Sequence, residues 1–140
     1  MKFALVLVTA STLLAQSRHS LEEKYGKPAS ETFEVRSGVG VTVRYNQNGT
    51  VAEMLIAPLQ REYLAAAWQL TLSEKMVKEV IDQLVPPLRR GKLVMAGFLN
   101  ITCMPEDNCG GSEETYEHAT VIYNAAREAE HVRFVEIRLK

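Results

Sequence analysis

Three histidines, two cysteines and a run of acidic residues are the groups in this chain whose types and spacing could do chemistry. His19, His118 and His131 stand in no H-E-x-x-H pattern. Glu114 and His118 are four apart, a spacing that on a helix aims both side chains at one metal. His118, however, enters an apolar run that reads as strand, and that breaks the geometry. Cys103 or Cys109 with His118 would pair a nucleophile with a base. A cysteine with a second cysteine six residues away is better read as a structural pair. Glu106, Asp107, Glu113, Glu114 and Glu117 crowd the same stretch, and oxygen ligands in number suit calcium. The alternating Asp/Asn spacing with a distal Glu that a calcium loop needs is missing, so the segment reads as a solvated acidic loop. No catalytic residue, metal ligand set or cofactor site is expected.

Two further groups bear on binding. Arg89, Arg90 and Lys92 follow a helical segment closely, where cations meet the negative end of the helix dipole. Tyr63 and Trp68 flank Ala65-Ala66-Ala67 and are candidate contact residues, because Tyr and Trp anchor interfaces.

Residues 1–17, MKFALVLVTASTLLAQS, say where the chain goes. Lys2 precedes an apolar run, and Ala15 and Ser17 fit an A-x-A-like cleavage site. The run, roughly 13 residues, is too short to cross a ~30 Å hydrocarbon core as a helix. A cleaved signal peptide over 1–17 is therefore expected, with a single α+β domain over 18–140 that is periplasmic or secreted. Gln16 stands where a lipoprotein signal would carry Cys. In an oxidising compartment, Cys103 and Cys109, which bracket the turn MPEDN, are expected to form a disulfide. Closing so short a loop is worth about 2–2.5 kcal/mol on a chain-entropy account. Two N-x-T sequons, at Asn48 and Asn100, matter only in a eukaryotic secretory pathway.

Composition excludes some partners. Loss of residues 1–17 removes Lys2 alone, leaving 15 basic and 17 acidic residues and a net charge of −2. Nucleic acid needs a basic footprint to displace counterions, and none is present. After residue 17 no apolar run is long enough for a membrane span. The apolar and charged fractions, 46% and 24%, are those of a chain that builds a core.

The elements follow from periodicity. Ser20 with Glu23 has capping-box spacing, and Gly26-Lys27-Pro28 ends a short N-terminal helix. Period-2 runs at 32–36, 39–45 and 51–56, joined by Ser37-Gly38 and Asn46-Gln47-Asn48-Gly49, predict a three-stranded meander. Residues 57–70 are ambiguous. Leu72, Met76, Val77, Val80, Ile81, Leu84 and Val85 form one apolar stripe, with Thr71 and Glu74 as a capping box and Pro86-Pro87 as the stop. That helix is expected to pack on Val41, Val43 and Leu55. Leu93–Ile101 reads as a strand bent at Gly97, residues 102–115 as a loop, and Tyr116–Tyr123 and Val132–Leu139 as two more strands. The expected fold is α+β: an antiparallel sheet of about five to six strands packed against one main amphipathic helix, plus a short N-terminal helix.

The stretch YGKP, then F-x-V, then a hairpin closed by NQNGT is similar to small envelope proteins with a β-lactamase-inhibitor-like α+β fold. The resemblance implies an α+β fold and transfers no functional residue. The function expected is that of an exported small non-catalytic module that binds another macromolecule or supports the cell envelope. The alternative is a small-ligand-binding protein or an enzyme with an unrecognised site.

Overall fold

The structure, a computed structural model, describes residues 18–59, 71–99, 109–126 and 131–140. Helix α1 (Arg18–Tyr25) precedes β1 (Ser30–Arg36), β2 (Val39–Tyr45) and β3 (Val51–Pro58). A short strand, β4 (Leu72–Ser73), runs into α2 (Glu74–Leu84), followed by the single turn α3 (Pro87–Arg90). Strands β5 (Leu93–Leu99), β6 (Cys109–Tyr116), β7 (Ala119–Ala126) and β8 (His131–Leu139) complete the described chain. They form one antiparallel sheet in the order β1-β2-β3-β8-β7-β6-β5, with β4 paired to β8. Strands β3 and β4 share one flank of β8: Glu53–Ile56 pair with its far half, and Leu72 and Ser73 with Val132 and His131.

The class is α+β, but the architecture expected from the sequence is overturned. The sheet has eight strands, not five or six, and it dominates helices that are small, α2 having 11 residues and α3 four. Two strands account for the difference. Residues 109–115, loop-like and acidic in sequence, instead form strand β6 together with Tyr116. Hydrogen-bonded on both sides, β6 is held by its ladders to β5 and β7 and needs no apolar alternation. Leu72-Ser73 was read as the first turn of the helix, yet it is β4. The helix begins at Glu74, two residues later than a Thr71 cap implies, and is capped by Ser73, whose Oγ accepts the Met76 N–H at 3.3 Å. The Thr71–Glu74 capping box is not formed; the Thr71 hydroxyl lies 3.3 Å from His131 Nδ1 instead. Likewise Ser20 lies inside α1, not ahead of it. The close of that helix is as expected: Gly26, at φ 84°, donates its N–H to the Glu22 carbonyl at 2.9 Å.

One face of the sheet carries α2. The stripe Val77, Val80 and Ile81 is buried against Val39, Val41 and Val43 of β2, Met54 and Ile56 of β3, and Val135 and Ile137 of β8. Val41 and Val43 are where the helix was expected to land, but Leu55 is not. Val41 pairs with Ile56 and Val43 with Met54, so Leu55 falls on the opposite face beside Thr42. Strand β3 is apolar at consecutive positions, so its own pattern could not choose a face; the pairing with β2 does.

The turns show where glycine is needed. In the Asn46–Gly49 turn Gly49 alone takes positive φ, at 81°, while Asn46 Oδ1 accepts the Thr50 N–H at 3.0 Å. The mirror-type turn suggested by Asn-Gly requires positive φ at both residues and does not form. Gly91, at φ 80°, sits against Glu117; a Cβ there would lie 2.6 Å from Glu117 Oε2. That contact matters because Glu117 Oε2 accepts the Lys92 N–H at 2.8 Å and ties the start of β5 to the β6–β7 turn.

Candidate functional site

Strand β5, LVMAGFL, ends the sheet, and among the described residues no strand pairs with its outer side. Leu93, Val94, Met95 and Phe98 are 54%, 66%, 58% and 98% exposed. Nothing in the strand carries charge. A shift of register between Leu93 and Met95 is its one irregularity. The other terminal strand, β1, is built differently. It carries Glu31, Glu34 and Arg36, and its register shifts between Glu34 and Arg36. Charges and bulges are what keep a sheet edge from templating another chain. Both terminal strands carry a register shift, and what separates them is charge, which β1 has and β5 lacks.

The reason for the exposure lies in how far α2 reaches. Phe98 pairs with Ser112, Ser112 with Tyr123 and Tyr123 with Val135, which places Phe98 on the helix-bearing face. The helix covers the middle of that face and stops short of β5. Between α2 and β6 lies a groove of about 280 Å³ bordered by Glu74, Lys78, Phe98, Glu114, Tyr123 and His131.

Several polar groups under α2 are paired with one another, although the buried Nε of Arg90 has no hydrogen-bond partner among the described residues. Glu114 Oε2 accepts the Tyr116 hydroxyl at 2.8 Å and the Tyr123 hydroxyl at 3.2 Å. Burial, and then the Glu114 charge, push the Tyr123 phenol well above its ordinary value; burial and Glu114 raise Tyr116 in the same sense. Both phenols therefore stay protonated and donate. Arg90 is buried, ion-paired with Asp82 of α2 and stacked 5.1 Å from the centre of the Tyr116 ring. Lys78 Nζ is 2.5 Å from Glu74 Oε1, and that hydrogen bond raises the lysine above its usual value. Such a network holds α2, α3 and β6 together.

On the opposite face, Arg44 Nη1 donates to Glu53 Oε2 at 2.9 Å, and Arg138 pairs with Glu136. The two carboxyls meet across β3 and β8. Glu53 is raised above the usual carboxylate value, first by its hydrogen bond with Glu136 and then by burial. Glu136, against the pull of its burial, is lowered by Arg138 and by Glu53.

The residues singled out in the sequence are scattered. Tyr63, Trp68, Cys103, Glu106 and Asp107 lie outside the described residues, as does the Cys103–Cys109 bridge; the backbone of Cys109 opens β6. Glu113 and Glu114, read as acidic loop, fall on opposite faces of β6. His118 lies in the β6–β7 turn and His131 at the start of β8, so the Glu114–His118 spacing never becomes helical. Of the basic cluster, Arg90 is not a solvated charge but a buried packing residue. Among the described residues no group of three or more His, Cys, Asp or Glu is placed to hold a metal ion, and no helix is long and apolar enough to cross a membrane. Sequence pattern does not mark β5 as an edge. Its signal was present as an uncharged seven-residue strand, but such a run reads equally well as a buried central strand.

No family model matches the chain, and no curated protein matches it. Its structure is similar to that of a DUF4309 family protein (YjgB) from Bacillus subtilis, with a TM-score of 0.38 and 11% identity over 94% of this chain and 84% of that one. A likeness at that level carries no argument about function.

Proposed function

We propose that this protein is an exported, non-catalytic module that binds a polypeptide partner by adding a strand to β5. The observation that carries the reading is the uncharged, exposed edge itself. Main-chain N–H and C=O groups on an open edge supply the affinity in strand addition, and apolar side chains above and below supply the fit. Export rests on the charge–apolar–small order of residues 1–17, and a Cys103–Cys109 disulfide suits a periplasmic or secreted chain. The groove under α2 favours the second reading, a small-ligand site, but in it the Tyr123 hydroxyl is already bonded to Glu114 and Lys78 to Glu74.

Two measurements test this. The intact mass of protein from the exported fraction should lack residues 1–17; full-length chain confined to the cytosol contradicts export. A photocrosslinking residue at Val94, introduced in living cells, should give a discrete covalent adduct, while one at Lys75 on the exposed side of α2 should not. No adduct from Val94 contradicts strand addition.

A further inference from the structure

We infer that the strand added to β5 comes from a second copy of this chain, an inference that rests on the strand-addition reading above. The contrast between the two edges is the first argument. With charge on β1 and none on β5, two copies joined at β5 leave only the charged β1 strands at the ends of the described sheet, so the assembly closes as a two-fold dimer. A bare edge at both ends would instead favour filaments.

Self-complementarity is the second argument. Antiparallel overlap of the whole strand about a two-fold axis at Ala96 sets Leu93 against Leu99, Val94 against Phe98 and Met95 against Gly97. No charge meets a like charge in that register. Gly97 has open space where a Cβ would stand, so it leaves room for the methionine opposite. Because the axis is perpendicular to the sheet, both α2 helices lie on the same side, and Phe98 gains an apolar neighbour it lacks in one copy. Charge is the third argument. Without residues 1–17 the chain carries a net charge of only −2, so no strong long-range field opposes self-association.

The contact is small. Seven residues a side fall below the roughly 20–30 of a standard interface, so dissociation in the micromolar range is expected. Sedimentation velocity of the exported chain between about 1 and about 300 μM should show monomer passing to dimer. Ala96→Lys places two ammonium groups across the axis and should shift the midpoint at least about tenfold upward, whereas Ala96→Thr should leave it in place. Val94→Glu serves as an independent variant. Both positions are exposed, so thermal melts should match the parent chain. Monomer at every concentration, or a dimer indifferent to Ala96→Lys and Val94→Glu, overturns the inference. The mass of the Val94 adduct separates this from the broader reading. Twice the chain mass supports the second copy; any other mass overturns it while leaving strand addition standing; no adduct removes both.

Discussion

Phe33 and Phe98 are the two ends of one row of paired residues that crosses the whole sheet. The row runs Phe33, Val41, Ile56, Val135, Tyr123, Ser112, Phe98, one residue from each of seven strands, all on the helix-bearing face. Its middle is buried, while Phe33 is 48% exposed and Phe98 is 98% exposed. A single helix of 11 residues, about 16 Å long, cannot roof seven strands spaced about 4.8 Å apart. Arg36 of β1 reaches Glu79 on α2 at 2.7 Å and partly closes the near end of the row. Among the described residues nothing comparable closes the far end.

The middle of the row is where stability resides. Ile81 is fully buried between α2 and the sheet, so Ile81→Ala should cost about 2–5 kcal/mol. Lys78→Ala loses only an exposed pair with Glu74 one turn away and should cost less than about 0.5 kcal/mol. Urea melts of the two variants check this, and equal small losses would mean that the stripe does not hold the domain.

Arg90 is a structural cation. Truncation to alanine removes its stacking on Tyr116 and its ion pair with Asp82, and should cost about 2 kcal/mol. Arg90→Lys should recover only part of the loss, because an ammonium group has no planar face to lay on the ring. Chemical denaturation of both variants measures the difference; full rescue by lysine would reduce Arg90 to a simple charge.

Glu53 and Glu136 set a small pH dependence. The raised value of Glu53 means that its protonated form favours the folded chain, a contribution present below its unfolded value and lost as pH rises through the folded one. Glu136 is lowered and acts in the opposite sense, its contribution being lost on acidification. Glu53→Gln stays neutral throughout. Its stability relative to the parent chain should therefore improve between about pH 4 and about pH 7, by less than about 1 kcal/mol. Melts across that range decide the sign, and an unchanged or reversed difference contradicts the carboxyl pair.

Local pattern revealed much of the fold. The bounds of β2 and the hairpins around it follow from alternation and turn residues, and the buried face of α2 from its stripe. What sequence pattern hid is non-local. Strand β6 can be polar because its place is fixed by neighbours on both sides, and β3, apolar on both faces, does not reveal in its own residues that Leu55 lies away from α2. The candidate site was hidden for the same reason. That β5 is apolar is written in seven residues; that it stands at the edge depends on β3 pairing with β8, strands far apart in the chain.

Amide hydrogen exchange along β5, compared between dilute and concentrated protein, tests the central claim most directly. In the dilute chain the amides of 93–99 that face away from β6 should exchange within the shortest labelling time. At concentrations well above the micromolar midpoint those same alternate amides should become protected, while β1 exchanges identically in both samples. Equal exchange of β5 at both concentrations, or protection appearing at β1 instead, would contradict the assignment of β5 as the edge that a second copy completes.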